Sequence, residues 1–237
     1  MKNLIYPDIC FACKKIFERN DLLQQNKSFP KNFRDVFSDV LCPDCLVKIC
    51  PVKDDKTGFF FSKKHIDSLS SIFYYKDSIV DIVHLLKYND KIFLAEKISW
   101  LILQQYFELY KNNYPELCVF VPMHKKAFRK RGFNQTYLIA NETQKLAWKN
   151  KIYFPEVHKE VLIKIKNTKS QTELKKEERK HNISNVFKVK NPFFVKGKKI
   201  LLLDDVCTTG STLEECAKTL SKSGAKSVDA ITFARAL

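Results

Sequence analysis

One run constrains the fold more than any other: Ile200-Leu201-Leu202-Leu203-Asp204-Asp205-Val206-Cys207-Thr208-Thr209-Gly210-Ser211-Thr212. Its apolar start predicts a buried strand, and its small, hydroxyl-rich end predicts a turn into a helix. Carboxylates at the strand's carboxyl end, Asp204 and Asp205, can bind vicinal sugar hydroxyls or the waters of a metal ion. The backbone from Val206 through Thr208, Thr209, Gly210, Ser211 and Thr212 can fold its N–H groups around a phosphate at the helix start, with Cys207 packed behind it. Acids for a sugar beside a nest for a phosphate imply a ribose 5-phosphate ligand. The plain alternative is an ordinary strand-to-helix turn of another α/β protein.

The rest of the chain fits an α/β reading, with a mainly parallel sheet flanked by helices. Gly58 to Phe61 and Ser71 to Tyr75 read as strands, and Asp77 suits an N-cap. Ile79, Ile82, Val83 and Leu86 follow helical spacing, as do Ile92, Ala95, Ile98, Ile102 and Tyr106. Strands are expected at 117–121, 161–163, 199–203 and 228–233, with helices at 133–149 and 213–220. Ligands of such a sheet lie beyond the carboxyl ends of its strands.

The formal charge of +16 is concentrated: residues 121–190 hold 18 Lys and Arg against 6 acids. Such a surplus suits an anionic partner, either a pyrophosphate or a nucleic acid backbone. Where the strand at 117–121 ends, Pro122 to Lys126 form a second loop leading to Arg129-Lys130-Arg131-Gly132. Lys125, Arg129 and Arg131 can hold a pyrophosphate there, while His124 fits ligand contact and ordinary surface equally. The same cations suit single-stranded DNA, with Lys125, Lys126 and Lys130 on phosphates and an aromatic as stacking platform. Phe128, Tyr137, Trp148, Tyr153 and Phe154 lie among them; most read as core, and Trp148 and Tyr153 as the exposed candidates. The basic segment Lys164 to Gln171, between two phosphate-binding loops, can close over a ligand and exclude water.

Cys10-x-x-Cys13 and Cys42-x-x-Cys45 are knuckles of the kind that close a tetrahedral zinc site. Cys50 can replace Cys45 in the set or stand aside; Cys118 and Cys216 read as core. A segment this short has little core of its own, so metal would supply much of its folding free energy. The expected division is a zinc-binding domain at 1–57 and the sugar-phosphate domain at 58–237. Neither a secretory peptide nor a membrane span is visible, and a cytoplasmic protein is expected.

The run at 200–212 resembles the 5-phosphoribosyl-1-pyrophosphate (PRPP) signature of type I phosphoribosyltransferases. The whole chain resembles the competence protein F (ComF) family, phosphoribosyltransferase-like proteins linked to DNA uptake in natural transformation. The resemblance rests on both knuckles, Leu86-Lys87-Tyr88, Val121-Pro122-Met123-His124, Arg131-Gly132-Phe133-Asn134-Gln135, Thr168-x-x-Gln171, Arg179-x-x-Asn182 and the closing Phe233-Ala234-Arg235. Lys164 and Lys166 stand where that family has arginines, which keeps the charge and loses the bidentate fork. The resemblance implies a PRPP-binding competence protein that handles incoming single-stranded DNA. Structural zinc, Mg²⁺ carried with PRPP, and partners in the DNA-uptake helicase machinery at the inner face of the cytoplasmic membrane go with it. The competing expectation is a Mg-dependent transferase that passes ribose 5-phosphate to a small base or other acceptor in salvage metabolism.

Overall fold

The computed structural model describes residues 8–17, 32–52, 64–88, 91–166 and 185–236. The strand expected at 58–61, the junction at 57/58, Thr168-x-x-Gln171 and Arg179-x-x-Asn182 lie outside them.

Five strands form one wholly parallel sheet: β3 (Ser68–Tyr74), β4 (Leu117–Phe120), β5 (Glu156–Val157), β8 (Lys199–Cys207) and β9 (Ser227–Arg235), in the order β3-β9-β8-β4-β5. Alternation along the central strands gives each face its own core. Leu201, Leu203, Cys118 and Phe120 pack with α3 (Ser78–Tyr88), α4 (Phe93–Leu109) and α6 (Gln135–Lys149). Ile200, Leu202, Leu117 and Val119 pack with α7 (Ser211–Lys222) and a hairpin of β6 (Leu162–Lys164) and β7 (Phe187–Val189). Cys118 and Cys216 are both fully buried, as expected of core residues.

The cysteine head has β1 (Asp8–Ile9), β2 (Ile16–Phe17), α1 (Phe33–Phe37) and α2 (Pro43–Val47). It shares the core of the main sheet: Phe37 and Phe73 each meet Phe233 edge to face, at 6.3 and 5.4 Å between ring centres. Among the described residues no helix is long and apolar enough to cross a membrane.

Three expectations change. The stretch after Val121 forms a short helix, α5 (Lys125–Arg131), because His124 caps its start and Gly132, at φ +84°, ends it. The helix expected from Phe133 starts at Gln135, since the Asn134 side chain accepts from the N–H groups of Thr136 and Tyr137. Strand β8 runs on to Cys207 because β9 pairs with it as far as Cys207–Arg235, so both acids sit inside the strand. Asp77 precedes α3 in the left-handed region, at φ +48°, and its carbonyl accepts from Val80 N–H.

Candidate functional site

Asp205 is buried at the carboxyl end of β8. Its Oδ2 lies 2.6 Å from Lys87 Nζ and accepts from Gln135 Nε2 at 3.3 Å, while Oδ1 accepts from Val206 N–H at 2.9 Å. Asp204 is half-buried, and its Oδ1 accepts from Asp205 N–H at 2.9 Å and Thr136 Oγ1 at 3.4 Å. Burial and then the neighbouring Asp205 charge hold the Asp204 carboxyl well above the usual carboxylate range. Burial pushes Asp205 the same way, but the Lys87 charge and hydrogen bond outweigh it and leave Asp205 lowered. Lys87 in turn is raised, because attraction to Asp205 overcomes the cost of its burial. The resting arrangement is thus an ionised Asp205–Lys87 pair beside an acid inclined to keep its proton.

Three stretches of sequence meet here. Lys87 stands in the last turn of α3; Gln135 opens α6; Arg131, from the end of α5, donates through Nη1 to Gln135 Oε1 at 2.5 Å and lies 5.0 Å from the Tyr88 ring centre. Arg131, first read as a phosphate cation, is therefore tied to the acid pair's support. Lys87 and Gln135 are the residues that motif reading undervalued. The usable signal was spacing, since Lys87 falls four residues after Val83 on the apolar stripe of α3, where an unpaired ammonium would be costly.

Beyond the acids the chain turns through Thr208 and Thr209 into α7. Gly210 takes φ +69° at the N-cap and carries no side chain to occupy the helix N-terminus. Thr209 Oγ1 and Ser211 Oγ lie 2.9 Å apart, and Thr209 Oγ1 accepts from Ser211 N–H at 3.4 Å. Cys207 is buried behind this turn. The arrangement suits an anion on the helix axis with sugar oxygens reaching back to the carboxylates.

On the neighbouring loop, His124 Nδ1 accepts from Lys126 N–H at 3.2 Å, which fixes its ring as an N-cap. Lys125, Lys126, Arg129 and Lys130 are all exposed on α5, and Phe128 stands among them, 48% exposed. Trp148 is exposed, at 64%, but lies near the far end of α6, about 20 Å along the helix from Gln135. The structure does not bring Trp148 together with the cations; Phe128, first assigned to the core, is the ring beside them. Phe154 is buried, and Tyr153 donates through its hydroxyl to Pro115 O at 3.1 Å. Lys164 is half-buried with Nζ 5.9 Å from the Phe187 ring centre, and burial lowers it; Lys166 is exposed.

Cys10, Cys13, Cys42 and Cys45 gather with all four sulfurs within 4.8 Å of one another, and Cys50 stays outside the group. Cys13 Sγ and Cys42 Sγ are 3.7 Å apart, close to the edge of about 3.8 Å that a tetrahedron with zinc–sulfur bonds of about 2.3 Å requires. Burial opposes ionisation of Cys10, but the backbone N–H groups of Cys42, Cys13 and Ala12 bring it down to about 6. Burial and the neighbouring thiols push Cys45 up to about 12. Four such groups ionise together only around a cation, so the donor set fits zinc.

Residues 137–237 match the family model of the phosphoribosyl transferase domain. The DNA utilization protein YhgH of Salmonella typhi is 30% identical over 175 residues, covering 71% of this chain and 72% of that protein. Competence protein F of Haemophilus influenzae is 26% identical, covering 72% and 73%. Competence protein ComFC of Streptococcus pneumoniae is 26% identical, covering 82% and 80%.

Proposed function

Since this chain belongs to the competence protein F family, we propose that it binds PRPP with Mg²⁺ at the end of β8 and handles single-stranded DNA beside that site, in the competence role its relatives' names describe. The observation that carries the first part is the continuity of Asp204 and Asp205 with the hydroxyl-rich turn that opens α7. Asp204 and Asp205 take the ribose hydroxyls or metal waters, and the N–H groups of 208–212 take the 5-phosphate. When bound, Mg²⁺ neutralises the pyrophosphate. With a sugar held on these acids, an ionised carboxylate beside the sugar carbon would stabilise the positive charge that develops as pyrophosphate leaves, which supports a site suited to transfer. The DNA role is supported by the exposed cations of α5 and by relatives named for DNA utilization.

Calorimetry on Asp204→Asn tests the PRPP reading. The amide stands in for a carboxyl that holds its proton in the free protein, so it keeps the fold, but unlike the carboxyl it cannot ionise when sugar and metal waters arrive. Affinity for PRPP with Mg²⁺ is expected to fall about 10- to 100-fold, the loss of one or two charge-assisted hydrogen bonds. Unaltered affinity in a normally folded variant would overturn the assignment.

A further inference from the structure

A cavity of about 780 Å³ opens between α5, the start of α6 and the β6–β7 hairpin, and none of residues 204–212 lines it. Its lining is aromatic: Phe120 and Tyr137 meet at a tilt of 55° with centres 5.2 Å apart, and Phe128, on exposed α5, also lines it. Its rim is cationic. Lys159 Nζ lies 4.6 Å from the Tyr137 ring centre; Lys125, Lys164 and Lys190 also line the cavity, and Glu160, paired with Lys190 at 2.5 Å, is the one acid among the lining residues.

We propose that this cleft seats one base of a single-stranded DNA, stacked on Phe128 and Tyr137, with the adjoining phosphates on Lys125 and Lys159. The proposal rests on the DNA half of the function above and gives that half its site. A volume of this size suits a nucleotide, and rings beside ammonium groups are what a stacked base with a charged backbone requires. The chemistry also limits what the cleft reads. Asn134, on its wall, uses Oδ1 to cap α6 and Nδ2 to donate to Val121 O at 3.2 Å, and His124 Nδ1 caps α5. With these groups engaged internally, ring faces supply the main hold on the base and the lysines add charge, so binding is tolerant of sequence.

The test uses the full chain and a short oligo-dT carrying one 2-aminopurine, whose fluorescence falls when the base stacks on a ring. Wild-type protein should quench it. Phe128→Ala should restore the fluorescence and weaken binding about 5- to 100-fold with its salt dependence unchanged, and Phe128→Trp should recover both. Phe128 is half-exposed, so an unshifted melting temperature is expected and checks that the loss is not unfolding. Oligo-dT and oligo-dC should bind within about 10-fold of each other, since both offer a stacking face. Strand binding without quenching, or with Phe128→Ala equal to wild type, overturns the cleft and leaves DNA binding elsewhere on the chain. Absence of any strand binding by the intact protein overturns the DNA reading as well.

Discussion

Replacing Lys87 with Met keeps the length of the side chain and removes the only charge paired with Asp205 among the described residues. The two side chains are 21% and 6% exposed and 2.6 Å apart, so little water is at hand to replace the ammonium. Breaking a buried pair from one side costs about 3–5 kcal/mol; the partial exposure of Lys87 favours the lower end, about 3 kcal/mol near neutral pH. For a chain of 237 residues that is a melting-temperature loss of about 6–12 °C. The pH dependence identifies the cause. In the wild type Asp205 is lowered, so its contribution is present above the ordinary carboxylate value of about 4 and is lost as pH falls through the folded value. In Lys87→Met the buried carboxyl is raised instead, and the folded form keeps a proton that the unfolded chain releases, so stability declines as pH rises above about 4. Both effects widen the gap between the proteins from acid to neutral pH. Urea unfolding at pH 5 and 7.5 should show the larger deficit at 7.5, and adding Asp205→Asn to Lys87→Met should recover much of it. An equal deficit at both values, or additive effects of the two substitutions, would refute an energetic ion pair.

The purified protein should carry about one zinc per chain, and Cys10→Ser with Cys42→Ser should release it and lower the melting temperature; metal analysis showing none in native protein counts against the site. Strand affinity should fall with salt at a log–log slope of about −0.7 per phosphate contact, and charge reversal at Lys125, Lys126 and Lys130 should flatten that slope while the metal stays bound. Trp148→Ala should leave strand affinity and melting temperature nearly unchanged, since its exposed ring stands apart from the α5 cations; a loss of about 5-fold or more in affinity would restore it as a stacking platform.

The central strands, the long helices and the cysteine cluster were legible because each has a strong local signature. Four apolar residues before Asp204, closed by a Thr-Thr-Gly turn, suit a buried strand, and paired C-x-x-C knuckles have the spacing of a single metal site. What the sequence left obscure depends on tertiary pairing. Whether β8 ends at Leu203 or runs on to Cys207 is decided by β9 beside it, and that places both acids within the ladder. Helix α5 reads as a loop because it buries no residue and so has no apolar stripe. The exposure of Phe128 follows from the same feature: on a helix without a buried face, an aromatic is on the surface however core-like its residue type.

Helix α3 connects the cysteine cluster to the acid pair. At its first residue, the Ser78 hydroxyl donates to the Cys45 carbonyl at 2.9 Å, in a buried contact with the second knuckle. At its other end, Lys87 meets Asp205, and Tyr88 lies under Arg131. Eleven residues of helix span about 15 Å, so a single rigid rod joins the cysteine cluster to the acid pair. The apolar stripe of this rod is packed in the shared core, with Ile79, Ile82 and Leu86 fully buried, which leaves it little freedom to slide or rotate independently of the head. Lys87 must stay within hydrogen-bond reach to counter a buried carboxylate, and a frayed first turn of α3 would loosen that hold. A metal on the four cysteines would fix the knuckle to which Ser78 is bonded, and so would steady the acid pair from the side of the head.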